Sequence, residues 1–474
     1  MLLFIFMIGK FIASNLFIFI FTSHVFSQSP VAQFEKRVIL AGLQDPWEIV
    51  YGPDNYLWIT EAKSYTVSRI NPKDGKKSEI LNLNSDRKFS GKPWPQGGLM
   101  GMALHPQLLS GKPFVYLAYV HRLLETKPNF GGNYFQTKLV RYTWNPEKQL
   151  LTEPVTICDT IPGSNDHNGG RLLIADEGGK EYLFYTVGDM GAGQFDNGNR
   201  PNRAQDINYY QGKVLRFNTE ANLDQSDENR WIPAANPFKN AVWTLGHRNP
   251  QGLAFALIGG VPRLYASEHG PFSDDELNLL EKGSNYGHPL VIGTNDGNYD
   301  GLAAGVSDRE GLPGKWNTSY PLINSEAEQA KKIGNRYRDP LRSFYPNSPQ
   351  FLNKLFTAVL QGAEKPEWSS EAPSSLSIYT SDAIPGWKYS LLMPSLKNGR
   401  LIRMKLDQTG SKVEGREEHL FQSNNRYRDL AISPDGTTLY LITDKSAVTS
   451  GPTKEDPQGS AEKGAIIEFK WKGR

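Results

Sequence analysis

The sequence predicts an all-β chain, folded as a six-bladed β-propeller of four-stranded antiparallel sheets with loop insertions. Three observations predict it. One phrase, a short apolar or aromatic run bounded by Gly, Pro, Asp or Asn, returns six times along the 474 residues. The 45 glycines and 31 prolines supply turns for many short strands. No long amphipathic helical period competes with that repeat. Stacking such sheets radially protects their edges, which suits this composition; a two-sheet sandwich is the competing arrangement.

Taken in order, residues 1–27 stand outside the fold. Lys10, the apolar "FIASNLFIFIF" and then "TSHVFSQSP" read as an export signal, with Val25 and Ser27 at the recognition positions and Gln28 as the mature terminus. An uncleaved membrane anchor is the alternative. Residues 28–474 then form a single propeller domain, periplasmic or secreted, with no membrane span once the signal is removed. The six phrases are "GPDNYLWITE" from 52, "KPFVYLAYV" from 112, "EYLFYTVGD" from 181, "VPRLYASEHG" from 261, "WKYSLLMPSLKNG" from 387 and "SPDGTTLYLITD" from 433. Between the fourth and fifth, residues 300 to 350 read as a loop insertion of the kind that tends to lie near function. A formal net charge of +2 leaves no nucleic-acid-binding footprint. Cys158 is the one cysteine, so no intramolecular disulfide and no haem attachment motif are possible.

Five stretches concentrate polar groups beside strand ends, where a propeller has its channel mouth. "PWPQGGLMGMALHP" places Gln96 ahead of a glycine pair. "PGSNDHNGGRLLI" places Asp166 beside His167, with Arg171 following. Asp, Asn and Gly before a strand also serve turn geometry, but a histidine titrating near neutrality can take a proton from a hydroxyl and a neighbouring acid can orient it. "TLGHRNPQGLAF" crowds His247, Arg248, Asn249 and Gln251 into one turn, and a buried guanidinium there suits a developing oxyanion. Lys397 lies in "PSLKNGRLIRMKL", and strand alternation points Arg426 and Arg428 of "SNNRYRDLAISPDG" to one face. In "ASEHGPFSDDELNLLEKGSNYG", Asp274, Asp275 and Glu276 with turn carbonyls suit Ca²⁺, or form a solvated loop. A zinc set is excluded by the single Cys and scattered histidines.

From about residue 36 to the C-terminus these stretches, in order, resemble the soluble glucose/sorbosone dehydrogenase family that uses pyrroloquinoline quinone. The strongest pieces are "TLGHRNPQGLAF", "GPFSDDELNL", "LLMPSLK" and "SNNRYRD". The resemblance implies a six-bladed propeller that oxidises an aldose at its anomeric carbon to the lactone, with hydride passing to the quinone. It implies His167 as the base, tuned by Asp166, and Arg248 as the group that stabilises charge on the quinone oxygen. Asn249, Trp368, Ser370, Lys397, Arg426 and Arg428 are implied cofactor contacts; Gln96, Gln194 and Phe195 lie on the substrate side. The carbonyls of Gly270 and Pro271 are implied ligands of a catalytic Ca²⁺, Glu276 and the Tyr286 carbonyl of a second, and Asp296 of a third. The aldose and a separate electron acceptor are the implied partners, and some family members form homodimers. The chain departs from the family with Ser370 for threonine and Phe195 for an aliphatic residue, and no tyrosine stands near Trp368, which leaves the preferred sugar open. A Ca²⁺-dependent lactonase and a non-catalytic binding propeller are the rival functions; neither needs four cations around a polyanion.

Overall fold

A computed structural model describes residues 33–473 except 128, 130 and 447–460. The export segment expected over residues 1–27 lies outside the described residues. Among the described ones, no helix is long and apolar enough to cross a membrane. Strand β1 (Phe34–Leu40) comes first and pairs last. The first blade is β2 (Pro46–Tyr51), β3 (Leu57–Glu61), β4 (Thr66–Ile70) and β5 (Lys77–Asn82). The second is β6 (Leu99–Leu104), β7 (Phe114–Lys127), β8 (Gly132–Asn145) and β9 (Leu150–Ser164). The third is β10 (Leu172–Asp176), β11 (Glu181–Val187), β12 (Lys213–Asn218) and β13 (Val242–Leu245). The fourth is β14 (Pro250–Ile258), β15 (Val261–Glu268), β16 (Asp275–Leu280) and β17 (Arg342–Phe344). The fifth is β18 (Ser377–Tyr379), β19 (Ser390–Pro394), β20 (Leu401–Leu406) and β21 (Val413–Leu420). In the sixth, β22 (Tyr427–Ile432), β23 (Thr438–Thr443) and β24 (Ile466–Trp471) are completed by β1, which pairs antiparallel with β24. The N-terminal strand thus closes the ring and covers an edge that would otherwise be exposed. The first strands of successive blades touch in a cycle, β2 to β6, β10, β14, β18, β22 and back to β2.

Each run read from the sequence is the second strand of a different blade: β3, β7, β11, β15, β19 and β23. The reason is burial. A second strand is covered on both faces by neighbouring blades, so it reads as a continuous apolar run, as β3, β19 and β23 do. Outer strands such as β5 and β21 face water and carry mostly exposed residues.

The expected loop insertion over residues 300 to 350 needs correction, because it contains helix α1 (Glu326–Ile333) and strand β17, and its last two residues begin helix α2 (Pro349–Leu360). Ser325 and Ser348 cap the two helices, accepting hydrogen bonds from the Glu328 and Phe351 amides. Leu352, Leu355, Phe356 and Val359 form the buried stripe of α2 at helical spacing. With 8 and 12 residues the helices are too short for a long period to show.

Arg171, just before β10, holds the centre of the ring. Its Nη1 meets Glu48 at 2.7 Å and Asp429 at 2.9 Å, while Nε and Nη2 donate to the carbonyls of Gln251 and Ser374, both at 2.9 Å. Glu48 also accepts from the Met102 amide at 3.4 Å. One guanidinium and its first neighbours therefore tie together residues of all six blades.

Candidate active site

In an antiparallel blade, the entry to the first strand and the exit of the second lie at the same end. His167, Arg248 and Arg426 precede first strands, while Asp189, Glu268 and Asp444 end or follow second strands, so topology delivers all six to one face. His167 is buried and has φ 50°, a left-handed conformation a histidine adopts only when its surroundings impose it. They do. The Gln96 Oε1 accepts from the Asn168 amide at 2.7 Å, the Asn249 Oδ1 accepts from the Gly169 amide at 3.1 Å, and the Met190 amide donates to the His167 carbonyl at 3.3 Å.

The carboxylate that orients the ring is Asp189, whose Oδ1 lies 2.7 Å from His167 Nδ1. This corrects the orienting role expected of Asp166. The Asp166 Oδ1 accepts from the His167 amide at 3.1 Å and stands 3.6 Å from Nε2, beyond hydrogen-bond distance of the ring. Asp189 is fully enclosed. Its Oδ1 accepts also from the Gly191 amide at 2.9 Å. Its Oδ2 lies 2.9 Å from His288 Nε2 and accepts from the Tyr320 hydroxyl at 3.0 Å and Asn202 Nδ2 at 3.1 Å. Burial pushes this carboxyl up, but His167 and His288 outweigh it and hold it well below the usual carboxylate range. An ionised Asp189 favours the tautomer with the His167 proton on Nδ1, which leaves the lone pair on Nε2. Gln194 Nε2 lies 3.0 Å from that Nε2 and 3.1 Å from Nδ1, and Gln194 Oε1 accepts from Arg248 Nη2 at 3.1 Å. Asp189, His167, Gln194 and Arg248 thus form one run of polar contacts. Phe195 follows at 64% exposure, projecting from the mouth.

Arg248 is positioned from behind. Its amide donates to Glu268 Oε2 at 2.8 Å, and its Nη1 to the His269 carbonyl at 3.1 Å. His247 does no work at the mouth: it is clamped between Thr244 and Glu268 and stacks on Tyr286. Burial, then Arg248, His167 and Arg428, pushes the His269 imidazole well below its ordinary value. On the cationic face, Arg428 binds both oxygens of Asp444, at 2.8 and 2.9 Å, and Gln251 Oε1 at 2.9 Å. Arg426 Nε lies 3.4 Å from the same Asp444. Lys397 Nζ donates to the Trp368 carbonyl at 2.9 Å and lies over that ring. Ser370 Oγ donates to Asp275 Oδ2 at 2.7 Å.

Two observations bear on whether a polyanionic quinone and Ca²⁺ suit these residues. Arg248 Nε and His269 Nε2 are buried with no hydrogen-bond partner among the described residues, two nitrogens beside a cationic face. Gly270 sits in a nest of oxygens, where a Cβ would lie 1.8 Å from the Ser273 carbonyl and 2.5 Å from that of Asp274. The carbonyls of Gly270, Pro271 and Tyr286 accept no hydrogen bond from the described residues. Burial, reinforced by Glu268, pushes the Glu276 carboxyl well above its ordinary value. Burial, with Asp296 adding, pushes Glu326 up to about 7. Such oxygen donors fit a hard cation. Among the described residues no group of three or more His, Cys, Asp or Glu gathers as a ligand set, so the fit rests on carbonyls. Asp274 and Asp275 have other work: Asp275 pins the amides of Gly270, Glu371 and Ala372, and Asp274 accepts from Ser343 and Asn298.

The fold and the site define a propeller whose mouth pairs an imidazole–carboxylate dyad with a face of buried cations. The chain belongs to the glucose/sorbosone dehydrogenase family, whose model matches residues 43–319 and 357–449. It is similar to quinoprotein glucose dehydrogenase B of Acinetobacter calcoaceticus, 33% identical over 485 residues that span 96% of this chain and 94% of the relative. Aldose sugar dehydrogenase YliI of Escherichia coli is 27% identical over 428 residues, 88% of this chain and 91% of that one. The PQQ-bound aldose sugar dehydrogenase of Streptomyces coelicolor has a similar fold, with TM-score 0.60 and 23% identity over 93% of this chain and 99% of the other. The soluble aldose sugar dehydrogenase of Escherichia coli, in its apo form, gives TM-score 0.63 with 23% identity over 92% and 99%.

Proposed function

We propose that the protein is an exported sugar dehydrogenase that oxidises an aldose at its anomeric carbon to the lactone, using pyrroloquinoline quinone and Ca²⁺. The observation that carries this reading is the line from Asp189 through His167 and Gln194 to Arg248, placed beside a cationic face. When bound, the quinone would supply the hydride acceptor and Ca²⁺ its polarisation. Asn249, Lys397, Arg426, Arg428, Trp368 and Ser370 would hold it, with the carbonyls of Gly270 and Pro271 presented to the metal. The other two Ca²⁺ sites would draw on Glu276 with the Tyr286 carbonyl, and on Asp296. His167 Nε2 takes the proton of the anomeric hydroxyl, and Asp189 stabilises the imidazolium that results. To reach Nε2 the hydroxyl must take the place of the Gln194 amide, which makes Gln194 a substrate-side group. Arg248 Nε offers a donor to negative charge at the reacting centre. Gln96 reaches the site through Asn168, which it holds, and Phe195 is placed to meet the sugar.

The test is reconstitution. Protein from a host that lacks the quinone should be inactive, and should gain aldose oxidation with an artificial acceptor once quinone and Ca²⁺ are added. Activity with a nicotinamide cofactor alone contradicts the cofactor assignment, and full activity after refolding in excess chelator contradicts the metal. Arg426 or Arg428 replaced with Ala should weaken quinone affinity by about 1.5–3 kcal/mol, the worth of a charged hydrogen bond, with turnover largely recovered at saturating quinone. A quinone titration of each variant checks this.

A further inference from the structure

The inserted segment grips residues 193–200 of the loop that follows Asp189. Arg309 Nη1 donates to Asp196 Oδ1 at 2.9 Å, the Ser319 amide to the Gly198 carbonyl at 3.3 Å and the Ser319 hydroxyl to the Arg200 carbonyl at 3.0 Å. The Thr318 hydroxyl donates to the Gly193 carbonyl and also accepts from the Tyr320 amide. Tyr320 itself is buried, and its hydroxyl donates to Asp189 Oδ2 at 3.0 Å. Its ring covers Gly193 so closely that a Cβ there would lie 2.5 Å from it. Behind, Trp316, Tyr320 and Ile323 join Leu352, Leu355 and Phe356 of α2 in a core of their own, outside the blades, with Trp368 packed against it. Tyr320 also opens the interval 320–356 that separates the two segments matched by the family model.

We propose that this segment is a positioning strap: Tyr320 fixes the second oxygen of Asp189 and through it His167, while Thr318 fixes the loop that carries Gln194. The proposal rests on the reading of His167 as the base. Tyr320 is buried and spends its hydroxyl on Asp189, so it acts through that carboxylate and its role is positional. The charged and titratable groups around His167 are Asp166 on its own loop, Asp189 beyond β11 and His269 beyond β15, with Arg248 before β14 reaching it through Gln194. Asp189 is faced in turn by His288, Tyr320 and the Arg200 guanidinium. The Tyr320 hydroxyl draws part of the carboxylate charge away from the imidazole. Without it more charge faces His167, and the imidazolium is better stabilised.

The experiment follows the His167 imidazole by NMR during a pH titration of the quinone-free protein, so it needs no turnover. Tyr320→Phe should move that titration upward by roughly half to one pH unit, the worth of one neutral hydrogen bond. Trp316→Phe, which trims the same core without touching Asp189, should leave it in place. Thr318→Val should raise KM for the sugar by about two- to tenfold in the reconstituted enzyme, with a smaller change in kcat. A folded Tyr320→Phe protein with an unmoved His167 titration overturns the Tyr320 grip, as does an equal shift in Trp316→Phe. An unchanged KM in Thr318→Val overturns the second grip. A wild-type protein that shows the His167 shift relative to Tyr320→Phe but oxidises no aldose would sink the sugar reading and leave the Tyr320 grip standing.

Discussion

His167→Gln should lower turnover by about 10²- to 10⁴-fold, the usual worth of a general base, while leaving quinone affinity nearly unchanged. Glutamine keeps a polar group against Asp189 but cannot take a proton at neutral pH. Asp189→Asn should also slow turnover, since an amide can favour the wrong imidazole tautomer and gives the imidazolium no counter-charge. Because Asp166 spends its Oδ1 on a backbone amide, Asp166→Asn should cost much less than Asp189→Asn. Steady-state turnover of the three variants at saturating quinone checks the order. A normal rate in His167→Gln would return this histidine to the status of a turn residue.

Arg171→Met should destabilise the fold by about 3–5 kcal/mol, because it leaves the buried carboxylates of Glu48 and Asp429 without their cation. The loss should depend on pH. Burial pushes the Glu48 carboxyl well above its ordinary 4.5, with Arg171 opposing and Asp429 adding to the rise. A carboxyl raised in the folded state contributes stability below its unfolded value and loses it as pH climbs. The variant, lacking Arg171, should therefore fall furthest behind the parent above pH 4.5, and Glu48→Gln in the same background should restore part of the difference. Denaturant midpoints across pH check this; a midpoint indifferent to Arg171→Met would mean that the six blades need no central tie.

Much of this was legible because burial writes itself into composition. Second strands covered on both faces read as unbroken apolar runs, and all six were recognisable. Outer strands such as β5, mostly exposed, carry no comparable signal. Short helix α1 hides within a segment rich in Gly and Pro, and α2, which starts where that segment ends, places Leu352, Leu355, Phe356 and Val359 at helical spacing. At the site, the residues found by motif are those beside glycine turns. Those missed are acids at the ends of second strands: Asp189 closes "EYLFYTVGD", Glu268 falls in "VPRLYASEHG" and Asp444 closes "SPDGTTLYLITD". Each looked like a strand boundary. Once second strands are known to end at the mouth, that recurring acid is itself a signal, and Glu61 at the end of β3 repeats it. Asp166 draws the orienting role in the sequence because it adjoins His167 in the chain, whereas Asp189 reaches the ring only through the fold. Tyr320 had no local signal, since only the tertiary path of the insertion brings it to Asp189.

In the proposed reaction His167 takes a proton from a sugar whose hydride leaves to a quinone held by the cationic face. Single-turnover reduction of the reconstituted protein tests it most directly, following the absorbance of the bound quinone after mixing with an aldose, unlabelled or deuterated at the anomeric carbon. The account predicts one quinone bleached per chain, a slower rate with the deuterated sugar, and a His167→Gln variant that binds quinone but bleaches it about 10²- to 10⁴-fold more slowly. A protein that binds no quinone, or a His167→Gln variant that bleaches it at the parent rate, would contradict the account.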